Sequence, residues 1–369
     1  MSTKRWKITA SLMAAALMCM CMTGCGQKEA ASEAGGSPSP ETNVEGTGSG
    51  GPDASKDPKV ELSFGGTAAA DDLITQGMER IAELAEERSG GSIVINVFPA
   101  SQLGDAVAQI ESMIGGGQDM MIEAQGSYMQ QYGVEDAAVN SFGLVETQEA
   151  LAKELDSEMW REFEAQFKEI NRVETLANNW IRQPTVIACK KPLYTMDDFK
   201  GVKLRVVPSA TTTAVYEALG FSPTPVAYSE TYLSLSQGVI DGTIASYDAM
   251  YTMGFYEVAP YMTKYGNSCT NVAIWINGAR FEGMTPAQQQ ILTEACQEVG
   301  DWYTQASNDL MAEYEEKMVA GGATIIEVDE GFVEEANQRL SEVAYAYEAE
   351  GKMTQGTYDK LAKLVQDGD

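Results

Sequence analysis

The chain has 369 residues, 54 acidic against 25 basic, and a formal charge of −29. So acidic a protein is unsuited to nucleic acid or to direct adhesion on anionic lipid, and it must supply locally any positive charge an anionic ligand needs. It contains no histidine, which removes Ser–His and Cys–His nucleophiles and every His-based metal site.

Lys4, Arg5 and Lys7 precede an apolar run, Ile8 to Met22, that has the composition of a leader rather than of a spanning helix. Small residues then lead to Met22-Thr23-Gly24-Cys25, which resembles the lipobox of bacterial lipoproteins. The resemblance implies cleavage after residue 24 and a lipid on Cys25; an ordinary signal peptide with an incidental cysteine is the alternative. Residues 25–58 are Gly, Ser, Pro, Ala, Glu and Thr with almost no large apolar side chain, the composition of a disordered tether. Gly46 to Gly51 spell G-x-G-x-x-G there, but no strand precedes them and no helix follows, so the dinucleotide reading fails. Beyond the leader and Cys25, the cysteines Cys189, Cys269 and Cys296 have no C-x-x-C spacing, and buried thiols are expected rather than a zinc site.

Val60, Leu62 and Phe64 alternate as a first strand. A helix is expected over about 71–89, a strand over 93–98, a helix over about 105–114 and a strand over 119–123. This reads as a parallel α/β unit, whose ligands sit beyond the carboxyl ends of the strands. That places residues 65–70 and 124–128 at a cleft, with Gln125 as the expected ligand contact. Residues 142–174 read as helical, with Trp160, Phe163 and Phe167 as core.

A second α/β unit follows: strands over about 185–189 and 203–207, a helix over 211–219, a strand over 222–226, a helix over 230–237 and a strand over 239–245. Thr285-Pro286-Ala287-Gln288 is a capping box with proline at the first helical position. The helix it opens runs to Gly321-Gly322, about 50 Å at 1.5 Å per residue, long enough to bridge two lobes and with room to bend at Gly300. A strand over 323–328 and helices over 332–349 and 354–366 close the chain.

Arg205 stands inside the apolar run Lys203-Leu204-Arg205-Val206-Val207. A guanidinium keeps its proton, so an inward-pointing Arg205 requires an anion, either a structural carboxylate or a ligand. Glu230 reads as a first-turn helix residue and Asp241 as a turn residue.

Val97 to Gly104 (VFPASQLG), Gly117-Gln118-Asp119-Met120, Phe199 to Arg205 (FKGVKLR), Ala218-Leu219-Gly220, Ser229-Glu230-Thr231-Tyr232 and Gly238 to Gly242 (GVIDG) occur in this order over about residues 60–350. Together they resemble the extracytoplasmic solute-binding subunits of TRAP transporters, of the C4-dicarboxylate-binding type. The resemblance implies a two-lobed α/β fold like that of periplasmic binding proteins, each lobe a mixed sheet flanked by helices, with one long helix bridging both. Residues 59–181 with about 270–305 would form lobe I, and 182–269 with about 306–369 lobe II.

It further implies a non-enzymatic receptor, with no cofactor and no metal, that binds a small organic acid between the lobes and delivers it to membrane permease subunits. A receptor of the same fold serving a sensor is the alternative. Arg205 would hold the ligand carboxylate, Arg182 corresponds to a second family arginine, and Tyr228 to an aromatic against the ligand body. Ala245 stands where many members have a ligand-contacting asparagine, so the turn Thr243–Tyr247 departs from the pattern. Asn271 matches a further polar contact, and Trp180 is expected to pack. The expected location is extracytoplasmic: at the outer face of the cytoplasmic membrane through Cys25, or in the periplasm.

Overall fold

A computed structural model describes residues 52–265 and 269–366. The leader, Cys25 and most of the expected tether lie outside these residues. Along the chain run β1 (Val60–Gly66), α1 (Leu73–Arg88), β2 (Ile93–Phe98), α2 (Ala106–Ile114), β3 (Met120–Ala124), α3 (Gln125–Gln131), α4 (Gln148–Leu155), α5 (Glu158–Asn171), β4 (Val173–Ile181) and β5 (Thr185–Cys189). Next come β6 (Lys203–Val206), α6 (Ala210–Leu219), β7 (Ser222–Pro225), α7 (Thr231–Gln237), β8 (Gly242–Ser246), α8 (Tyr247–Thr252), α9 (Phe255–Val258), β9 (Tyr261–Lys264) and β10 (Asn271–Asn277). The chain ends with α10 (Gly278–Glu282), α11 (Pro286–Ala320), β11 (Thr324–Glu327), α12 (Glu330–Ala349) and α13 (Thr357–Gln366).

The strands form two sheets, ordered β2-β1-β3-β10-β4 and β11-β9-β5-β8-β6-β7. In the first, β1 runs parallel to β2 and β3, with Phe64 opposite Val97 and Met120. The strand–helix–strand–helix–strand unit β1 to β3 is parallel, as expected, and β10 inserts antiparallel between β3 and β4, which makes the whole sheet mixed. In the second sheet β6 runs parallel to β7 and β8, and β5 is antiparallel to β8 and β9. Both sheets are mixed and flanked by helices, and α11 is one unbroken 35-residue helix opened by the Thr285/Gln288 capping box.

Three expectations change. Residues 142–174 are not continuously helical: Ser157 caps a new helix, α5, which ends at Arg172 in the left-handed region (φ 55°). From Val173 the chain becomes β4, the edge strand beside β10. The stretch Thr243–Tyr247 is no turn, because β8 runs through Ser246 and Tyr247 opens α8. The end of the tether is packed: Ala54 is fully buried and Gln288 Nε2 donates to the Pro58 carbonyl at 2.9 Å.

Apolar alternation explains the cores. Leu62, Phe64, Met78, Ile81 and Ile93 are buried between β1, β2 and α1, as the 2.0 and 3.6 periods require. Trp180 lies at the centre of this core, stacked on Tyr303 of α11 at 5.1 Å, with its indole N–H donating to the Cys296 carbonyl at 3.1 Å. Near the second sheet Phe199 stacks on Phe221 at 4.1 Å. Cys189, Cys269 and Cys296 are unpaired and buried. The C-terminal helices touch both halves: Arg339 of α12 reaches the Ala218 carbonyl at the end of α6, while the Thr354 N–H donates to Asp136 at 2.6 Å.

Candidate functional site

The parallel strands of both sheets aim their carboxyl ends at one cavity of about 230 Å³. From the first sheet, the ends of β1 and β3 bring Thr67, Ala68 and the run from Ile122 to Ala124 with Tyr128. From the second, the ends of β6, β7 and β8 bring Arg205 to Pro208, Ala227, Tyr228 and Ile244 to Ser246. Loops beyond the carboxyl ends of strands are the ordinary seat of a ligand in α/β sheets, since neighbouring strands diverge there and leave a crevice.

Arg205 is the central feature. It is 5 % exposed, sits in β6 opposite Thr224 and Thr243, and reaches the cavity wall. Its Nε donates to the Val226 carbonyl at 3.0 Å, which fixes the plane of the guanidinium, and the group lies 5.4 Å from the centre of the Tyr228 ring. Among the described residues no carboxylate comes within ion-pair distance of it, so the structural salt bridge is absent. Burial pushes its pKa down from the ordinary value, although Tyr228, Tyr128 and Glu123 favour the charge. A buried cation without a counter-ion is costly, and an anion in the cavity would relieve that cost.

Arg182, between β4 and β5, is also at the wall but is already partnered. Its guanidinium lies 3.5 Å from the Asp248 carboxylate of α8, and its Nε is buried with no partner. Burial disfavours its charge, but Asp248, Tyr303, Tyr228 and Asp72 outweigh this and raise its pKa well above the ordinary value. Asp248 is held in turn by the hydroxyls of Ser246 and Tyr303; burial opposes its charge, yet Arg182 and these donors keep its pKa below the usual range. Asp72 caps α1 through the Ile74 N–H at 2.9 Å and accepts from Thr252 of α8 at 2.7 Å. Burial first, and then the nearby Asp248, raise its pKa.

Tyr228 lines the cavity beside Arg205, its ring edge-on to Phe255 at 5.8 Å. Ala245 lines it as well, from β8, and offers only a methyl group. Gln125 and Asn271 are brought together, but behind the wall. Asn271 Nδ2 donates to Gln125 Oε1 at 2.7 Å, Gln125 Nε2 to Glu164 at 2.5 Å, and the Trp160 indole to Gln125 at 3.1 Å. Both side chains are buried and spent on one another, and neither lines the cavity. Trp180 packs, as expected, and Asp241 is a turn residue that accepts the Lys203 N–H at 3.0 Å.

Tyr128 falls within the stretch expected at the cleft, but several groups at or beside the cavity were not foreseen from sequence: Asp72, Glu123, Asn140, Asp248 and Tyr303. Asp72 has the signature of a helix cap, and nothing in its local sequence distinguishes a cap that also faces a cavity. Tyr303 follows the apolar stripe of α11, so only the packing of α8 against that helix reveals its hydroxyl as the partner of Asp248.

The family described as "Bacterial extracellular solute-binding protein, family 7" matches residues 64–350. The sialic acid-binding periplasmic protein SiaP of Vibrio cholerae is 28 % identical over 268 residues, covering 70 % of this chain and 80 % of its own. A TRAP periplasmic solute-binding protein of Ochrobacterium anthropi, solved with bound L-fuconate, is 25 % identical with a TM-score of 0.76, over 84 % of this chain and all of its own. One from Fusobacterium nucleatum, solved with sn-glycerol-3-phosphate, is likewise 25 % identical with a TM-score of 0.76, over 83 % of this chain and 96 % of its own. With the match spanning most of the described body and both sheets converging on one cavity, this chain belongs to family 7 of the bacterial extracellular solute-binding proteins, the solute-binding subunits of TRAP transporters.

Proposed function

We propose that this chain is a receptor that captures a small organic acid between its two sheets, with Arg205 holding the carboxylate, and hands it to the membrane permease of a TRAP transporter. The observation that carries this is Arg205 itself, a buried guanidinium at the cavity wall that, among the described residues, has no carboxylate within ion-pair distance. A carboxylate suits the fork of a guanidinium, which can donate two parallel hydrogen bonds and so fix orientation as well as charge. Tyr228 flanks the guanidinium and is placed to cover the body of the ligand. Arg182 contributes a second positive edge, tempered by Asp248.

A carboxylate is favoured over a phosphate ester because Asp72, Asp105 and Glu123 stand on the same walls, and a dianion would face all three. Among the relatives, SiaP is named for sialic acid and the Ochrobacterium anthropi protein was solved with L-fuconate, whereas the Fusobacterium nucleatum protein was solved with a phosphate ester, sn-glycerol-3-phosphate. Binding and release without turnover is the role we assign.

We place the receptor outside the cytoplasm, tethered through a lipid on Cys25. The Gly-, Ser- and Pro-rich composition of residues 26–51 supports this, since a linker of that composition suits a tether. An acyl label that enters the wild-type protein and not Cys25→Ala would establish the anchor; equal labelling of the two would dismiss it. For the binding role, a thermal-shift screen of organic acids on the folded body is the direct test, because a ligand that binds only the native state raises its apparent stability. Aldonates, uronates and short acids at millimolar concentration should include at least one that raises Tm by several degrees. A panel without any shift would contradict the reading.

A further inference from the structure

The walls of the cavity have opposite character. Of the cations, Arg205 comes from β6 of the second sheet and Arg182 from the link between β4 of the first sheet and β5 of the second. The first-sheet side supplies three carboxylates, Asp72, Asp105 and Glu123. Glu123 accepts from the Thr67 hydroxyl at 2.6 Å and, among the described residues, has no basic partner within ion-pair distance. Asn140 adds to the same side: its Nδ2 is committed to the buried Glu154 at 2.6 Å, which leaves its carbonyl oxygen as the group available to a ligand. Arg205 therefore asks for an anion, and the carboxylate-bearing side for hydrogen-bond donors.

We infer that the ligand is a monocarboxylate whose far end carries donor groups, hydroxyl or ammonium, and that Glu123 and Asp72 are the residues that select it against diacids. This rests on the carboxylate-receptor reading and narrows it. A second carboxylate seated against Glu123 and Asp72 would place like charges together in a confined space, whereas a hydroxyl or an ammonium there adds a donor to carboxylates that otherwise accept only from neutral N–H and O–H groups. The raised pKa of Asp72, caused by burial and by Asp248, fits a site that already holds as much negative charge as it tolerates. A site built to accept donors discriminates strongly, because the wrong ligand leaves its buried acceptors unpaired.

Two matched pairs separate the possibilities by calorimetric titration of the folded protein. Galactonate and galactarate differ only in carrying a hydroxymethyl group or a second carboxylate at the far end. 4-Aminobutyrate and succinate make the same comparison with ammonium. The donor-ended member of at least one pair should bind ten-fold or more tightly than its diacid, and the pair that shows it identifies the donor as hydroxyl or ammonium. In Glu123→Gln that preference should shrink by about ten-fold while Tm stays within a degree or two of wild type. Diacids that bind as tightly as, or more tightly than, their partners in both pairs would overturn the inference and leave the receptor standing. Failure of all four to bind at 10 mM would instead count against the carboxylate reading beneath it.

Discussion

Arg205 shows how far a single residue can be read. An arginine in an apolar strand demands an anion whatever the fold, and that demand was visible in five letters of sequence. Which anion was not: a salt bridge to one of 54 acids and a ligand carboxylate look alike until the neighbours of Arg205 are known. Arg182 illustrates the converse, since its partner Asp248 lies 66 positions away and only the packing of α8 joins them.

A second residue carries a prediction of its own. Glu154 is fully buried, one oxygen accepts from Asn140 and the other has no partner, and burial raises its pKa to about 8 despite that hydrogen bond. The folded protein thus binds this proton more tightly than the unfolded chain. The stability it contributes is complete at low pH and is lost as pH rises through about 8. Between pH 7 and 9 the wild type should lose about 1 kcal/mol through this group, and Glu154→Gln, which keeps an acceptor for Asn140, should escape that loss. Urea unfolding of both proteins at the two pH values checks this; parallel losses would contradict it.

At the scale of elements, Trp180 explains why α1, β4 and α11 sit where they do. The helices approach its ring through glycines. A Cβ on Gly77 would come within 2.5 Å of the indole, and one on Gly300 would meet the Asn179 side chain and the indole at 2.8 Å. Alanine would normally strengthen a helix by about 1 kcal/mol over glycine. Here overpacking should win, so Gly77→Ala and Gly300→Ala are each expected to cost about 1–3 kcal/mol in chemical denaturation. Unchanged or increased stability would show that the ring can yield.

The elements that sequence disclosed were those with a strong period and a clear stop: β1 to β3, α1, and α11 with its capping box. β4 escaped because Val173 to Ile181 contains two asparagines and follows a helix without a proline or glycine between them. β9 and β10 escaped because their meaning lies in partners far along the chain: β10 pairs with β3 and β4, some 100 to 150 residues earlier. The same long-range pairing buried Gln125 and Asn271 against each other, which no local pattern could show.

At the scale of the whole molecule, the cavity exists only while its two sides are held together. Thr252 donates across it to Asp72 at 2.7 Å, and the Ser209 hydroxyl reaches Gln130 at 3.3 Å. Thr252→Val should leave the fold intact and weaken ligand binding by about ten-fold or more, since a hydrogen bond to a charged group is worth about 1.5–3 kcal/mol. Binding constants at equal Tm would check it, and undiminished affinity would mean that this contact does not hold the binding state. The central claim, however, rests on Arg205. The most direct measurement is calorimetric titration of the best-binding acid from the thermal-shift screen into wild type and Arg205→Ala, with Tm recorded for both without ligand. Removing one partner of a buried charge pair costs about 2–5 kcal/mol, so affinity should fall at least about 30-fold while the ligand-free Tm holds or rises. Equal affinity in the two proteins, with a lower Tm for the variant, would mean that Arg205 serves the fold and that the anion site lies elsewhere.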